Sequence, residues 1–258
     1  ANVGSNGGAV VMVDGVSVSS GTGEIDITAD GNITLSSVIT GSTSANAVRV
    51  TTSNGAVVDA GDSNVDVIAN GGGLVIQSAT GVGDGNAVEV SVALLEVQNS
   101  TAGAIQLAES DDVDIENLAQ LASGDILFDS VAGTLTLLGG GSGVTGIANV
   151  RLAALVQDAV IHADVVSGTG NIALDAGRDL AVNSAVTTGG SGTIYLRSGN
   201  DTTLDSQLTS AGGDILVDSA ANLTQTASII SNNGDVGLVA GSLLNQTASG
   251  DVTTGGDV

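Results

Sequence analysis

A short unit, Gly-x-(Ile/Val)-x-(Leu/Val), returns along this chain at a nearly fixed interval, and that return limits the fold more than any other feature. It is plainest in the second half, at Gly170-Asn171-Ile172-Ala173-Leu174, Gly192-Thr193-Ile194-Tyr195-Leu196, Gly213-Asp214-Ile215-Leu216-Val217 and Gly234-Asp235-Val236-Gly237-Leu238. The unit also stands upstream, with its central Ile at Ile25, Ile105 and Ile126, and looser copies without the glycine begin at Val48, Val65, Val88 and Val150. The ten steps from Ile25 to Val236 average about 21 residues, a solenoid period. Within each unit apolar residues alternate with polar or small ones, which is the period of a strand and not of a helix.

A second apolar position follows the anchor by about eight residues, at Ile33, Val113, Leu180, Leu223 and Leu244, and a third by about fourteen, at Ile39, Val186, Leu208 and Ile229. Three short strands per repeat, separated by Gly, Asn, Asp and Ser corners, predict an all-β fold: a right-handed parallel β-helix, or three-sided β-solenoid. It should have about 21 residues per rung and about 11–12 rungs, each rising ~4.8 Å, for a rod of roughly 55 Å. The absence of proline fits, because every interior strand must donate its N–H groups to neighbouring rungs. The glycine two places before the anchor (Gly23, Gly103, Gly124, Gly170, Gly192, Gly213 and Gly234) implies a corner with positive φ or close backbone approach.

The repeat predicts one continuous solenoid over 1–258, less regular at about 41–100 and 139–148, where corners carry insertions such as Gly139-Gly140-Gly141-Ser142-Gly143. The first twenty residues, with Val10, Val11, Met12, Val13, Val16 and Val18, read as a further rung. A strand-like Asp251-Val252-Thr253 stands just before the final Asp257-Val258. Neither end reads as an amphipathic cap, so the rod is expected to continue, through a longer chain or by head-to-tail stacking of identical copies.

Charge narrows the partners. Four arginines face 28 acidic residues, for a net charge of −24, and there is no lysine. Such a surface repels nucleic acid phosphates and anionic lipid heads. No apolar run approaches the ~18 residues of a membrane-spanning helix, so neither nucleic acid binding nor membrane insertion is expected.

Units such as Gly168-Thr169-Gly170-Asn171-Ile172-Ala173-Leu174-Asp175-Ala176-Gly177-Arg178-Asp179-Leu180 and Gly212-Gly213-Asp214-Ile215-Leu216-Val217-Asp218-Ser219 resemble the β-helical repeats of filamentous-haemagglutinin-type exoproteins and related giant bacterial surface proteins. The likeness runs from about Gly21 onward. It implies an exported adhesin or extracellular filament at the bacterial cell surface, in contact with a host or neighbouring cell, and not an enzyme.

Chemistry-bearing residues are few. The densest acidic stretch is Glu109, Asp111, Asp112, Asp114 and Glu116, in which Asp112, Asp114 and Glu116 alternate along one strand. A solvated outer face is the simplest reading. The alternative is a shared hard cation, with calcium as the candidate cofactor, since such ions take clustered oxygen ligands. Asp62 and Asp84-Gly85-Asn86 offer further corner oxygens. Because polysaccharide-active enzymes share this architecture, the acids from Asp111 to Glu116 also define an alternative enzymatic reading, and a calcium-dependent adhesion module is another. Against carbohydrate stacking, the only aromatics are Phe128, expected inward, and Tyr195, expected outward. His162, the single histidine, reads as a corner or surface residue, and Arg178 and Arg197, on neighbouring rungs near Asp175, Asp179 and Asp201, read as cross-rung ion-pair partners. No catalytic residue is assigned.

Overall fold

The computed structural model describes residues 2–61 and 64–256, and among these there is no helix. Asp62, Asp257 and Val258 lie outside the described residues. The chain is all-β: parallel strands stack as a solenoid of about eleven turns, with about 22 residues per turn. Each strand pairs mainly with the strand three places earlier, so a coil has three faces. The parallel ladder joins 27 strands in one sheet, and a further three-stranded sheet (Val10–Val11, Ile33–Leu35, Val57–Asp59) is carried on by single bridges from Val57 to Val82 and from Val82 to Ile105.

Three inward columns define the faces. The first runs Ile27, Val50, Ile76, Val97, Leu118, Val144, Val165, Val186, Leu208, Ile229 and Val252, each opposite the next in register. The second includes Ile33, Val57, Val82, Ile105, Ile126, Val150, Ile172, Ile194, Ile215 and Val236. The third includes Val38, Val67 and Val90 at one end, where the register passes on to Glu109 at the end of strand Ile105–Glu109, and Leu135, Ala159, Leu180 and Leu223 at the other, where it starts from Val113. These side chains form one aliphatic core, with Phe128 fully buried in it and Tyr195 on the outside as expected. Burial of such side chains contributes about 25 cal/mol per Å² of apolar surface.

The columns correct the sequence-based phase. The anchors Ile25 and Val48 lie on the first face, whereas Ile105 to Val236 lie on the second. Val88, placed between them by the repeat, belongs to the third face and pairs with Leu107, and Val65 is half-buried and outside any strand. The spacing points Ile39 inward, yet Val38 takes the core position and Ile39 is 39% exposed. Leu244 stands in register with buried Leu223, on the inward column as expected, and is 46% exposed because nothing in the described residues stacks above it on the last coil. The shifts of phase share one cause: every face has the same alternating aliphatic pattern, so a step from one face to the next looks like an irregular repeat.

That step occurs where three strands run round a corner without a break: Val67–Ser78, Val88–Asn99 and Val113–Gln120 each pass from the third face to the first. Numbering coils from Asn2–Ser5, the fourth coil begins at Leu74 and the fifth at Leu94. Between these two the register slips: Val88, Glu89 and Val90 lie beside Leu107, Ala108 and Glu109, but Leu94 and Leu95 lie beside Asp114 and Ile115. Ser91, Val92 and Ala93 therefore have no strand partner on the fifth coil, and a seam opens in the third face.

The corners beyond the seam are closed by hydroxyls. Ser210 Oγ donates to the Gly192 carbonyl of the preceding coil (2.9 Å) and accepts the Gly213 N–H of its own (2.9 Å). Ser231 repeats the arrangement with the Gly213 carbonyl and the Gly234 N–H. The repeat glycine is needed here for close approach: a Cβ on Gly213 would lie 2.6 Å from the Gly192 carbonyl carbon and closer still to its oxygen. Positive φ applies elsewhere, at Gly103 for example.

Candidate functional site

Two acidic groups flank the seam. The first is the stretch singled out in the sequence. Asp112 and Asp114 are exposed and, together with Asp111, Asn70, Ala93, Val113, Thr134 and Thr136, line a cleft of about 560 Å³. Asp112 Oδ1 accepts the Thr134 N–H at 2.7 Å, which ties the carboxylate to the next coil. Glu116 is separated from the other two. The register skips it, Ile115 pairing with Leu95 and Asn117 with Glu96, so it occupies the bulge where the strand turns from third face to first. The expected flat row of three carboxylates is thus broken at its third member, and the cleft is lined by Asp112 and Asp114 without Glu116.

Behind the cleft lies Glu109, the last residue of strand Ile105–Glu109 and fully buried. The alternation Ile105, Leu107, Glu109 directs it inward, a signal that can be read in the sequence. Its carboxyl oxygens accept N–H groups from Val92 (3.2 and 3.3 Å), Ser110 (3.0 Å) and Asp111 (3.3 Å). Burial, followed by hydrogen bonding with the Asp111 side chain, pushes its pKa up to about 9; the Asp111 and Val92 N–H groups pull it the other way. Asp111 continues the network outward, with Ser91 Oγ at 3.5 Å from its Oδ2 and 3.0 Å from Asn70 Oδ1.

The second group is Asp59, Asp66 and Glu89, on the corner between the second and third faces of neighbouring coils. Each offers a carboxylate oxygen, and the three oxygens lie within 4.8 Å of one another, the one such trio of acidic or ligating side chains among the described residues. Asp66 is fully buried; its N–H donates to the Glu89 carbonyl (2.8 Å), and its Oδ2 accepts the Glu89 N–H (3.2 Å). Asn86 donates to Asp59 Oδ2, while Asp59 Oδ1 is buried with no hydrogen-bond partner among the described residues. Hard oxygen donors gathered this closely are the set that a divalent cation such as Ca²⁺ takes. Asp59, Asp66 and Glu89 are 30 residues apart at the extremes and come from irregular coils, so no local motif announced them; only Asn86 beside them belonged to the sequence-predicted corner oxygens.

The remaining polar residues support the rod. Arg151 contacts Asp129 and Asp175 (3.7 Å), and Arg197 contacts Asp175 (3.1 Å), so an ion ladder climbs the second face. Arg178 pairs across coils, but its partner is Asp158 (3.3 Å), whereas the sequence pointed to Asp175, Asp179 and Asp201, of which only Asp175 pairs with an arginine. His162 is exposed, with Nδ1 3.2 Å from Asn183 Nδ2. No family model, curated protein or solved structure matches the chain.

Proposed function

We propose that this chain is a segment of an extracellular structural or adhesive rod at a bacterial surface, of the filamentous-haemagglutinin type that its repeats resemble. The observation that carries the reading is the first-face column, which keeps register from Ile27 to Val252. A ladder of that kind makes a stiff spacer, because each coil is held to its neighbours by continuous parallel pairing and a shared core. The acidic surface and the ion ladder favour a rod that stays dispersed while presenting a repetitive polar exterior. Antibody raised against the chain should label intact cells of the source organism, and labelling that appears only after permeabilisation would sink the surface assignment. Sedimentation velocity on the purified chain tests head-to-tail stacking: elongated multiples support the filament form, and a monomer at all concentrations removes it.

The cleft beside Asp112 and Asp114 favours a second reading, a polysaccharide-active solenoid using these acids. Assays on acidic glycans decide it, since unchanged turnover after replacing both with Asn would remove it. The Asp59, Asp66 and Glu89 trio supports calcium dependence of the rod, which is tested by melting below.

A further inference from the structure

The second face and its two corners carry most of what this rod exposes besides acid. Of the four arginines, Arg151 and Arg197 point outward from that face and Arg178 stands at the corner after it. Asp129, Asp175 and Asp218 share its strands with them, so these strands are close to neutral in a chain of net charge −24. Among the described residues, the exposed large aliphatic side chains outside the end coils, Ile39 excepted, also lie on this face or its corners. Apolar, tyrosine and arginine side chains gathered in one exposed patch mark an interface between proteins.

Both corners follow one order. On the sixth to ninth coils the corner before the face holds Leu121, Ile147, Gly168 and Gly189. The corner after it holds Val131, Leu155, Gly177 and Gly199. On each side, two exposed aliphatic residues make a ridge and the two glycines that follow leave a hollow. We propose that this face docks a second copy of the chain, the two rods side by side and antiparallel about a two-fold axis between the seventh and eighth coils. Turned this way, Leu155 of each copy meets Gly177 of the other, and Ile147 meets Gly168, ridge into hollow. Arg197 comes opposite Asp129, and Tyr195 opposite Leu127.

A second copy is the occupant because the order of large residue, large residue, glycine, glycine is complementary to its own reverse. One rotation matches shape on both corners and charge between them, as a two-fold interface requires when residue i meets j and j meets i. The six strands from Ile105–Glu109 to Ile215–Ser219 span ~29 Å by ~17 Å. The apolar corners widen this toward the ~800 Å² that each partner of a stable pair contributes. Elsewhere acid meets acid: Asp158, Asp179 and Asp201 occupy one corner position on successive coils, where two copies would set like charges together. Assembly through the second face therefore stops at two, and the pair keeps acidic outer surfaces. Asp129 and Arg197 stand three coils apart, ~14 Å, so they cannot pair within one chain.

Sedimentation velocity and equilibrium on the full chain decide this. Wild type should form a dimer as concentration rises, with the lower frictional ratio of side-by-side rods. Leu155→Asp, in an exposed corner outside any strand, should weaken the dimer by about tenfold or more without moving the denaturant midpoint of the dilute monomer. Ile147→Asp takes its place should that variant not fold. Arg197→Asp sets aspartate against Asp129 of the other copy, and Asp129→Arg sets arginine against Arg197. Each should be monomeric alone, and an equal mixture should form the mixed dimer, where both opposed pairs again have unlike charge. Mixing does not repair damage within one chain, so a merely structural effect gives no rescue. A wild-type monomer at all concentrations, a dimer untouched by Leu155→Asp, or no mixed dimer overturns the proposal. Head-to-tail stacking uses the end coils instead, so elongated multiples that persist in Leu155→Asp support that arrangement and overturn this one.

Discussion

Replacing Gly213 with Ala should destabilise the rod, although alanine is ordinarily the better-tolerated residue. Gly213 lies against the corner of the preceding coil, where its new Cβ would meet Ser191 O and Gly192 C at 2.6 Å and Gly192 O more closely. All three are backbone atoms of the corner that leads into strand Ile194–Ser198, so relief requires the corner or the coils to move apart. Overpacking of this kind costs about 1–3 kcal/mol. Moving the corner also strains the two Ser210 hydroxyl bonds, each 2.9 Å, worth about 1 kcal/mol apiece. The sum is about 3–5 kcal/mol. Gly21 is the matched control: it is exposed, a Cβ there would meet no atom within 4 Å, and its φ is not positive. Gly21→Ala should be neutral or stabilising by about 0.4–1 kcal/mol, through the reduced entropy of the unfolded chain. Guanidinium unfolding followed by far-ultraviolet circular dichroism gives both values, and hydrogen exchange should place the Gly213→Ala weakening in the coils from Gly192 to Gly234. If Gly213→Ala unfolds within about 0.5 kcal/mol of wild type, close approach is not why the repeat carries glycine there.

Phe128→Ala should cost about 3–5 kcal/mol in the same unfolding assay, because the ring is fully buried and its loss leaves a cavity in a stacked core. Ser210→Ala should cost about 1–3 kcal/mol, since it leaves the Gly213 N–H and the Gly192 carbonyl without their partner. Arg197→Ala should change stability by under about 1 kcal/mol and less in high salt, given its exposed guanidinium; a larger loss would mean that the ion ladder is structural. Calcium should raise the melting temperature, chelator should reverse it, and Asp66→Asn should abolish the response while Asp112→Asn leaves it intact; the opposite pattern would return the ion to the stretch first read from sequence.

The fold was legible because a solenoid repeats its physics. Alternation placed Phe128 inward and Tyr195 outward, and the spacing from Ile172 through Leu180 to Val186 correctly separated three faces. Cross-coil pairing of Arg178 and Arg197 followed from the same stacking. Phase was not legible. Ile25 and Ile172 sit in nearly identical local sequences on different faces, and only long-range register distinguishes them. The paired pattern Val38–Ile39 was equally ambiguous, since either residue could take the inward position and a shift of one reverses the choice.

The change of face that shifts the phase and the acids Glu109 and Glu89 fall in one region, and this has a physical reason. A perfectly periodic coil satisfies every backbone group with its neighbours, so it leaves no role for a buried carboxylate. Where the path changes face, between Val67 and Gln120, the ladder lapses and unpaired N–H groups such as that of Val92 must find side-chain acceptors. Glu109 fills that need at one edge of the lapse; Asp66, accepting the Glu89 N–H, fills it at another. A buried acid is costly unless a proton or a cation accompanies it, so the same irregularity that hid the register from the sequence also creates the two places where this rod can respond to its surroundings. Glu109, whose pKa burial pushes up to about 9, answers to protons, and the trio at Asp59, Asp66 and Glu89 has the donors to answer to calcium. Measuring both responses on one sample separates them, because Glu109→Gln should erase the pH dependence without touching the calcium-dependent melting.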